Sequence, residues 1–250
     1  MNQRVVVIQS NYIPWKGYFD MLAQADTVVL FDAVQSTKND WRNRNQIKTP
    51  SGKRWLTIPV KHSTTIRVRE VAVARSDWHE KHYRSLSQVY ARAPHAAQVL
   101  PQLHEWYSEA GELSRLSAIN RVFLRGVCEF LEIKARFLEV ESILDDEQHD
   151  RLDPTSRLVE ICERLGATSY LSGPAARGYL DTSAFERLSI AVEWFDYVGY
   201  PTYPQLHGEF DHSVSIVDLL LMTGPDARHY AIRHGPTAHE LPSQDCAATR

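Results

Sequence analysis

The chain has 250 residues, of which 43% are hydrophobic, so it can bury a full core as one large domain or as two closely joined parts. Its apolar runs are too short for a membrane-spanning helix, its first residues lack the pattern of a signal peptide, and its three cysteines have no spacing typical of a disulfide scaffold or a zinc site. The net charge of −3 gives no general signal for nucleic-acid binding, and we predict a cytoplasmic protein without a membrane or metal partner.

The first part of the chain predicts the start of a parallel sheet. Apolar runs over residues 4–9 and 27–32 each have the length of a buried strand. Between them, apolar residues recur at helical spacing over 17–25. Two apolar strands joined by a helix indicate a βαβ-like unit, in which the two strands pair in parallel.

The middle of the chain predicts two more strands and then a helical segment. Residues 54–61 and 66–73 have the composition or the alternation of strands, although Pro59 places the first of these at an edge or at a strand end. Residues 77–131 carry apolar side chains mostly at helical spacing.

The last part of the chain predicts a return to the sheet. Residues 141–153 hold six acidic residues and one arginine, which is typical of a solvated connector. Strands are predicted over 168–173 and 190–195, and an apolar helix over 213–222.

These elements together predict an α/β fold with a mostly parallel open sheet of the Rossmann-like type and a helical insertion or subdomain. We expect one domain over residues 1–224, followed by a short helix and a flexible tail over 225–250. Within the domain we expect an α/β core over 1–75 and 153–224, a helical segment over 77–131 and an acidic connector over 141–153.

Polar or flexible residues follow three of the predicted strands. Ligands of open parallel sheets bind beyond the carboxyl ends of the strands. If these three strands are neighbours, one crevice collects all of the polar groups. The residues concerned are Gln9 and Asn11 after the first strand, Asp32 and Gln35 after the second, and Ser172, Gly173 and Tyr179 after the strand near residue 170.

The loop after the first strand, within residues 9–22, is unusually rich in large aromatic side chains. One interpretation is a ligand-binding loop, in which Gly17 lets the backbone approach a ligand near a helix N-terminus. The alternative is that Tyr12, Trp15 and Tyr18 close the end of the core and keep their polar atoms in water.

A second feature is the basic stretch over residues 38–54, which has six basic residues and a single acid. Arginine forks match phosphate or carboxylate oxygens, and asparagine amides read polar edges. The stretch predicts contacts to a small phosphorylated ligand, but a solvated loop or a single-stranded nucleic-acid site would have the same composition. The candidate contact residues are Lys38, Trp41, Arg42, Asn43, Arg44, Asn45 and Lys48.

Two further features have weaker signals. His79 and His82 are three residues apart, but no third ligand has the spacing of a zinc site. His82, beside Lys81, is a candidate base or phosphate contact, or else an ordinary surface histidine. Asp218 lies within an apolar helix, so it needs a partner, and we expect a structural pair with an arginine, a lysine or a backbone N–H.

These motifs resemble those of the WbqC-like family. Residues 9–19 resemble its opening QPNYLPWLGYF-type motif, and 32–35 and 41–48 resemble its DVQ and NRN segments. The resemblance covers roughly residues 4–224, and Gln205 belongs to its later part. This chain departs from the pattern at Ser10, where the family usually has proline, and over 175–177, where a glycine-rich turn is usual.

Members of the family stand among genes for O-antigen and other surface polysaccharides, so the resemblance implies work on a nucleotide-linked sugar or a related metabolite. We predict an enzyme that modifies an amino sugar on a nucleotide carrier by acyl or aminoacyl transfer, which forms an amide. Two alternatives are an ATP-dependent enzyme that activates a carboxylate by nucleotidyl transfer, and a non-enzymatic module that binds sugar or nucleic acid. The cofactor, the acyl donor and the oligomeric state have no signal in the sequence.

The predicted roles divide the candidate residues into four groups. The anionic clamp comprises Arg42, Arg44 and Lys48. The stacking residues are Tyr12, Trp15 and Trp41. The residues that orient hydroxyls or the amine are Asn11, Asp32, Gln35 and Asn43. The catalytic candidates are His82, whose ordinary pKa lies near neutral pH, and Asp32.

Overall fold

The computed structural model describes residues 2–61 and 65–233, and it has the α/β fold that the sequence predicts. In chain order the strands are β1 (Arg4–Ile8), β2 (Thr27–Leu30), β3 (Arg44–Thr49), β4 (Gly52–Thr57), β5 (Val60–Lys61), β6 (Ala72–Val73), β7 (Arg136–Glu139), β8 (Ser169–Ser172) and β9 (Ala191–Trp194). The helices are α1 (Lys16–Ala23), α2 (Trp78–Val89), α3 (Ala96–Gly111), α4 (Leu116–Phe130), α5 (Asp146–Arg151), α6 (Pro154–Arg164), α7 (Thr182–Glu186), α8 (Ile216–Thr223) and α9 (Ala227–Ala231).

Five strands form one parallel sheet in the order β7-β2-β1-β8-β9. Val5 of β1 pairs with Thr27 of β2 on one side and with Tyr170 of β8 on the other. The chain adds β2 and β7 on one side of β1 and later adds β8 and β9 on the other side. The switch point of the sheet therefore lies between β1 and β8, where ligands of such sheets bind.

The central strands are mostly buried and their middle residues are largely apolar, because both faces of the sheet are covered. Side chains of neighbouring residues point to opposite faces of a strand. Accordingly, Val6 and Val28 belong to the larger hydrophobic core, which includes residues of α1, α3, α4 and α8. Val5 and Val29 belong to a smaller core on the other face, together with Ile161 of α6.

Two predicted strands differ from the structure. Residues 66–73 contain a 3-10 turn over Val68–Glu70 and only the two-residue strand β6, which pairs with β5. The predicted strand over 54–61 is divided into β4 and β5, with Pro59 between them. Proline cannot donate a hydrogen bond to a neighbouring strand, so the ladder ends there.

Three other segments have more regular structure than expected. The basic stretch forms the antiparallel hairpin of β3 and β4, and the edge strand β7 was not predicted. The acidic segment over 141–153 contains the helix α5, whose first turn is capped by Asp145. Its carboxylates pair with Arg67 and Arg69, so the acidic segment is held against the turn that precedes β6.

In the part of the chain that the structure describes, none of the helices has the length and hydrophobicity needed to cross a membrane. Within the same residues, no three histidine, cysteine or acidic side chains are grouped as metal ligands. The predicted tail over 225–250 begins with α9, and its residues beyond 233 lie outside the described residues.

Candidate functional site

The carboxyl ends of β1, β2 and β8 lie side by side because these strands are neighbours in the sheet. Two cavities open at this edge, one after β1 and one after β2. Two consecutive residues after β1 are next to the two cavities. Asn11 borders the first cavity, and the Ser10 side chain hydrogen bonds to Asp32, which borders the second.

The first cavity, which we call the aromatic cavity, has a volume of about 370 Å³. Its walls include four aromatic rings and two asparagine amides, and none of the described residues that border it is charged. Tyr197, which follows β9, supplies the fourth ring. The predicted contact residues that it brings together are Asn11, Trp15, Tyr18, Trp41 and Asn45.

The indole of Trp15 is held in this wall by the chain around it. Its ring lies 5.4 Å from that of Tyr197 and 5.7 Å from that of Tyr200. A Cβ atom at Gly17 would lie 2.4 Å from the Trp15 ring, closer than real contacts allow. Gly17 therefore makes room for the indole, which differs from the predicted approach of its backbone to a ligand.

The loop that carries these residues is fixed in an uncommon conformation. Ile13 has a φ of 36°, a region that branched residues rarely adopt. Its carbonyl oxygen accepts hydrogen bonds from Asn45 Nδ2 at 2.9 Å and from Ser215 Oγ at 2.8 Å. Such strain persists only where the surroundings hold it, and it is frequent at binding sites.

The two amides of the aromatic cavity differ in their hydrogen bonding. Asn45 is committed to the backbone of residues 12 and 13. The side chain of Asn11 makes no hydrogen bond to any described residue, and its Oδ1 atom is buried without a partner. Buried polar atoms are almost always paired in folded proteins, so Asn11 is the amide that is available to a ligand.

The second cavity, which we call the arginine cavity, has a volume of about 350 Å³ and follows the ends of β2 and β7. Three arginines border it, namely Arg69, Arg115 and Arg121. Asp32 is its most buried acidic residue, with 5% of its surface exposed.

Asp32 is held by Ser10, whose N–H donates to Oδ1 at 2.9 Å and whose hydroxyl donates to Oδ2 at 2.6 Å. Burial raises the pKa of Asp32 from 3.8 to about 6, although the Ser10 hydrogen bonds act in the opposite direction. A titratable group with a perturbed pKa at the edge of a cavity is a candidate functional residue.

The other catalytic candidate, His82, lies inside the helical core. Its Nδ1 atom is 2.8 Å from the hydroxyl of Tyr12, which is also 2.5 Å from the hydroxyl of Tyr107. Burial lowers the pKa of His82 to about 4, so the ring is neutral at physiological pH. Tyr12 is completely buried, so its ring is not available for stacking on a ligand, in contrast to the prediction.

The predicted anionic clamp does not converge on one site, because the hairpin and the turn before it direct its side chains to different places. Arg44 lies over the ring of Trp55, 4.2 Å from the ring centre. Lys48 is buried and donates to Gln205 Oε1 at 2.8 Å. Arg42 pairs with Asp40 at 2.8 Å. A smaller cavity of about 190 Å³ is bordered by Lys38, Arg42 and Asn43.

Gln205 belongs to a buried polar network around Asp218. The Asp218 carboxylate accepts hydrogen bonds from the hydroxyls of Tyr90 and Tyr203, each at 2.8 Å, and from Gln205 Nε2 at 2.9 Å. The pairing of Asp218 is structural, as expected, but its partners are hydroxyls and an amide instead of a cation or a backbone N–H.

The remaining predicted residues lie at several places. Lys81 is exposed and pairs with Asp77 at 2.6 Å. Tyr179 is 68% exposed. The backbone oxygen of Gln9 accepts a hydrogen bond from the Tyr18 hydroxyl, and the backbone of Gln35 pairs with that of Arg67. Ser172 is buried at the end of β8, and Gly173 lies beside Tyr197.

Several residues of the two cavities were not predicted. Tyr197 follows a predicted strand, so the rule of strand ends could have found it. Arg69 lies in a segment that was interpreted as a strand, and Arg115 is at the start of α4. The sequence does not indicate that these arginines border one cavity, because this depends on how α4 packs against the turn before β6.

Comparison with known proteins gives the following matches. The model of the family described as "WbqC-like protein family" matches residues 9–230. The chain is 42% identical over 230 residues to a protein of Mycobacterium tuberculosis (strain ATCC 25618 / H37Rv) described as "Uncharacterized protein Rv1507c", with 91% of this chain and 97% of that protein covered. No solved structure matches the chain.

Proposed function

The chain belongs to the WbqC-like protein family, and from this membership and the aromatic cavity we propose that it is an enzyme of surface-polysaccharide or related biosynthesis that binds a nucleotide-linked amino sugar. The reaction in this proposal is the transfer of an acyl or aminoacyl group to the sugar amine. The amine nitrogen attacks the acyl carbon, a C–N bond forms, and the bond to the leaving group of the donor breaks as the amine loses a proton.

The observation that carries the proposal is the composition of the aromatic cavity. Aromatic rings stack on sugars and bases, and Trp15, Tyr18 and Trp41 supply such rings around one space. Its volume of about 370 Å³ lies within the range of small-molecule sites, about 300–1,000 Å³. Rotation of the Asn11 amide would offer a donor or an acceptor to the hydroxyls or the base of the ligand.

The arrangement of the two cavities supports a transfer reaction, since a transfer needs two substrates. The two cavities are joined by neighbouring residues. Asn11 borders the aromatic cavity, and Ser10, the residue before it, donates a hydrogen bond to Asp32, which borders the arginine cavity. Of the two catalytic candidates, Asp32 borders a cavity and His82 lies among buried rings. We therefore keep Asp32 in the site and remove His82 from it.

The first test is a thermal-shift panel with UDP-sugars, dTDP-sugars, CTP, ATP, acetyl-CoA and a single-stranded oligonucleotide. A ligand at about 100 times its Kd stabilises the folded chain by about 2.7 kcal/mol. For a chain of this size this raises the Tm by roughly 5–10 °C. We expect a shift with a nucleotide sugar. A shift with ATP alone would favour the carboxylate-activating alternative, and a salt-sensitive shift with the oligonucleotide would favour a nucleic-acid module.

The site is tested with Asn11→Leu, which removes the amide and approximately conserves its volume. Because the Asn11 side chain has no hydrogen bond in the described chain, we expect an unchanged basal Tm and a lost ligand shift. Gln102→Ala on the exposed side of α3 is the control, and we expect it to keep both the basal Tm and the ligand-induced Tm shift. A nucleotide-sugar shift that survives in Asn11→Leu and in Trp41→Leu would contradict the assignment of the ligand to the aromatic cavity.

A further inference from the structure

The arginine cavity has charges of both signs. Its walls carry three arginines and four acidic residues, among them Asp32, Glu139 and Glu141. A phosphate dianion would therefore meet at least as much negative as positive charge. A ligand that itself carries one positive and one negative group fits such walls better.

Most of these charges already have partners. Arg121 pairs with Glu139, and Arg69 pairs with Glu141 at 2.7 Å and with Asp146 at 2.6 Å. Three charged side chains of the walls have no ion-pair partner among the described residues. Glu70 is exposed, and its carboxylate accepts from the backbone N–H of Arg67. Arg115 donates only to the backbone oxygen of residue 70, and the buried Asp32 carboxylate accepts only from residue 10.

The wall formed by the start of α4 is suited to a carboxylate. The 15-residue helix α4 begins there, and no side chain caps its first turn. The backbone N–H groups of Ser117 and Ala118 have no acceptor among the described residues, and both residues border the cavity. The Ser117 side chain is 4% exposed and makes no hydrogen bond to a described residue. A helix N-terminus with free N–H groups and a neighbouring arginine attracts an anion.

The wall at Asp32 is suited to an ammonium group. An ionised carboxylate can accept about four hydrogen bonds, and each Asp32 oxygen uses one of these positions for Ser10. The carboxylate has no ion-pair partner in the described chain. A bound ammonium group would supply that partner and offset the cost of burying the charge.

From these contacts we propose that the arginine cavity binds a free α-amino acid as a zwitterion, with its ammonium group at Asp32 and its carboxylate at the start of α4 beside Arg115. The cavity volume of about 350 Å³ leaves room for a side chain. This binding does not depend on the proposed transfer, because a free carboxylate has no leaving group and is not itself an acyl donor. Asp32 is then the anchor of an ammonium group, and no bond is made or broken in the binding step.

The test is calorimetric titration of the full chain, without nucleotide sugar, after a thermal-shift screen of the common amino acids. For the best amino acid, the two matched analogues are the amine that lacks its carboxylate and the acid that lacks its amine; for L-alanine these are ethylamine and propionate. We expect each analogue to bind roughly tenfold or more weakly, because each lacks a charged hydrogen bond. Equal binding of propionate or inorganic phosphate would show a simple anion site and overturn the proposal, as would equal binding of ethylamine or no binding of any amino acid.

Variants locate the binding. Asp32→Asn, Arg115→Gln and Ser117→Ala should each weaken amino-acid binding. Arg125→Gln is the control, because Arg125 lies on the same helix, pairs with Glu109 and does not border the cavity. Retained affinity in both Asp32→Asn and Arg115→Gln, measured on folded protein, would overturn the assignment.

The outcome is separable from the test of the proposed function. Asn11→Leu should lose nucleotide-sugar binding and keep amino-acid binding. If an amino acid binds and no nucleotide sugar does, the proposed function fails and the amino-acid site stands. If a nucleotide sugar binds and no amino acid does, the amino-acid site fails and the proposed function stands.

Discussion

Replacement of Asp32 by asparagine tests the electrostatics of the candidate site without any ligand. The carboxyl group is buried, and its pKa is raised from 3.8 to about 6. An acid whose pKa is higher in the folded chain than in the unfolded chain binds its proton more tightly when folded. Its ionisation therefore costs stability as the pH rises through the interval between the two values.

The expected magnitude follows from these two pKa values. Each pKa unit corresponds to about 1.4 kcal/mol, so the difference between 3.8 and about 6 corresponds to about 3 kcal/mol. Below pH 4 both wild type and Asp32→Asn carry a neutral side chain here. Above pH 6 to 7 the wild type carries the full cost of a buried charge and the variant does not. The charged groups that act on this carboxyl are Glu141, which raises its pKa, and Arg121, which lowers it.

The assay is urea unfolding of wild type and Asp32→Asn at several pH values from about 4 to 8. We expect the stability of the wild type, relative to the variant, to fall by about 3 kcal/mol over this range and then to level off. Asp146→Asn is a control whose stability relative to the wild type should stay nearly constant over this range, because Arg69 lowers the pKa of Asp146 below its ordinary value and this carboxylate is already ionised in both states. The reasoning would be refuted if the free energy of unfolding of the wild type, relative to Asp32→Asn, stayed constant or rose with pH. The folded site would then not disfavour the ionised carboxylate.

Three further predictions concern the two cavities. Gly17→Ala should lower stability by about 1–3 kcal/mol and weaken the nucleotide-sugar shift, because its Cβ would meet the Trp15 ring at 2.4 Å; unchanged urea unfolding would contradict this packing. Arg44→Ala should leave nucleotide-sugar affinity within about twofold of wild type, because Arg44 covers Trp55 outside the aromatic cavity; a loss of tenfold or more in titration would restore the predicted clamp. Amino-acid affinity should fall by about tenfold per pH unit below pH 6 as Asp32 takes up its proton, and calorimetry that finds no such fall would exclude Asp32 as the anchor.

The sheet could be predicted from the sequence because its signals are local. The runs that became β1 and β2 are predominantly apolar, and the helix between them has a clear period, so the parallel pair follows from general rules. The position of Asp32 and Asn11 at strand ends followed in the same way. The edge strand β7 was missed because it has four residues, of which only the central two are apolar.

The composition of the cavities could be predicted only in part. Alternation over residues 66–73 predicted a strand. The segment instead forms a turn, and its Arg67 and Arg69 side chains pair with Asp146 of helix α5. That contact joins segments about 80 residues apart, and no local pattern identifies the partner. The basic stretch was likewise recognised by composition, but the partners of its charges, Trp55 for Arg44 and Gln205 for Lys48, depend on the tertiary structure.

Ser10 gives Asp32 two hydrogen-bond donors that a proline, the residue usual at this position in the motif that the sequence resembles, could not provide. Proline has no backbone N–H and no hydroxyl, so both hydrogen bonds that stabilise the ionised Asp32 would be absent. The corresponding acid would be harder to ionise and would remain protonated at a higher pH. A single residue after β1 thus sets the proton occupancy of the neighbouring acid, and with it whether that acid holds a cation or donates a hydrogen bond.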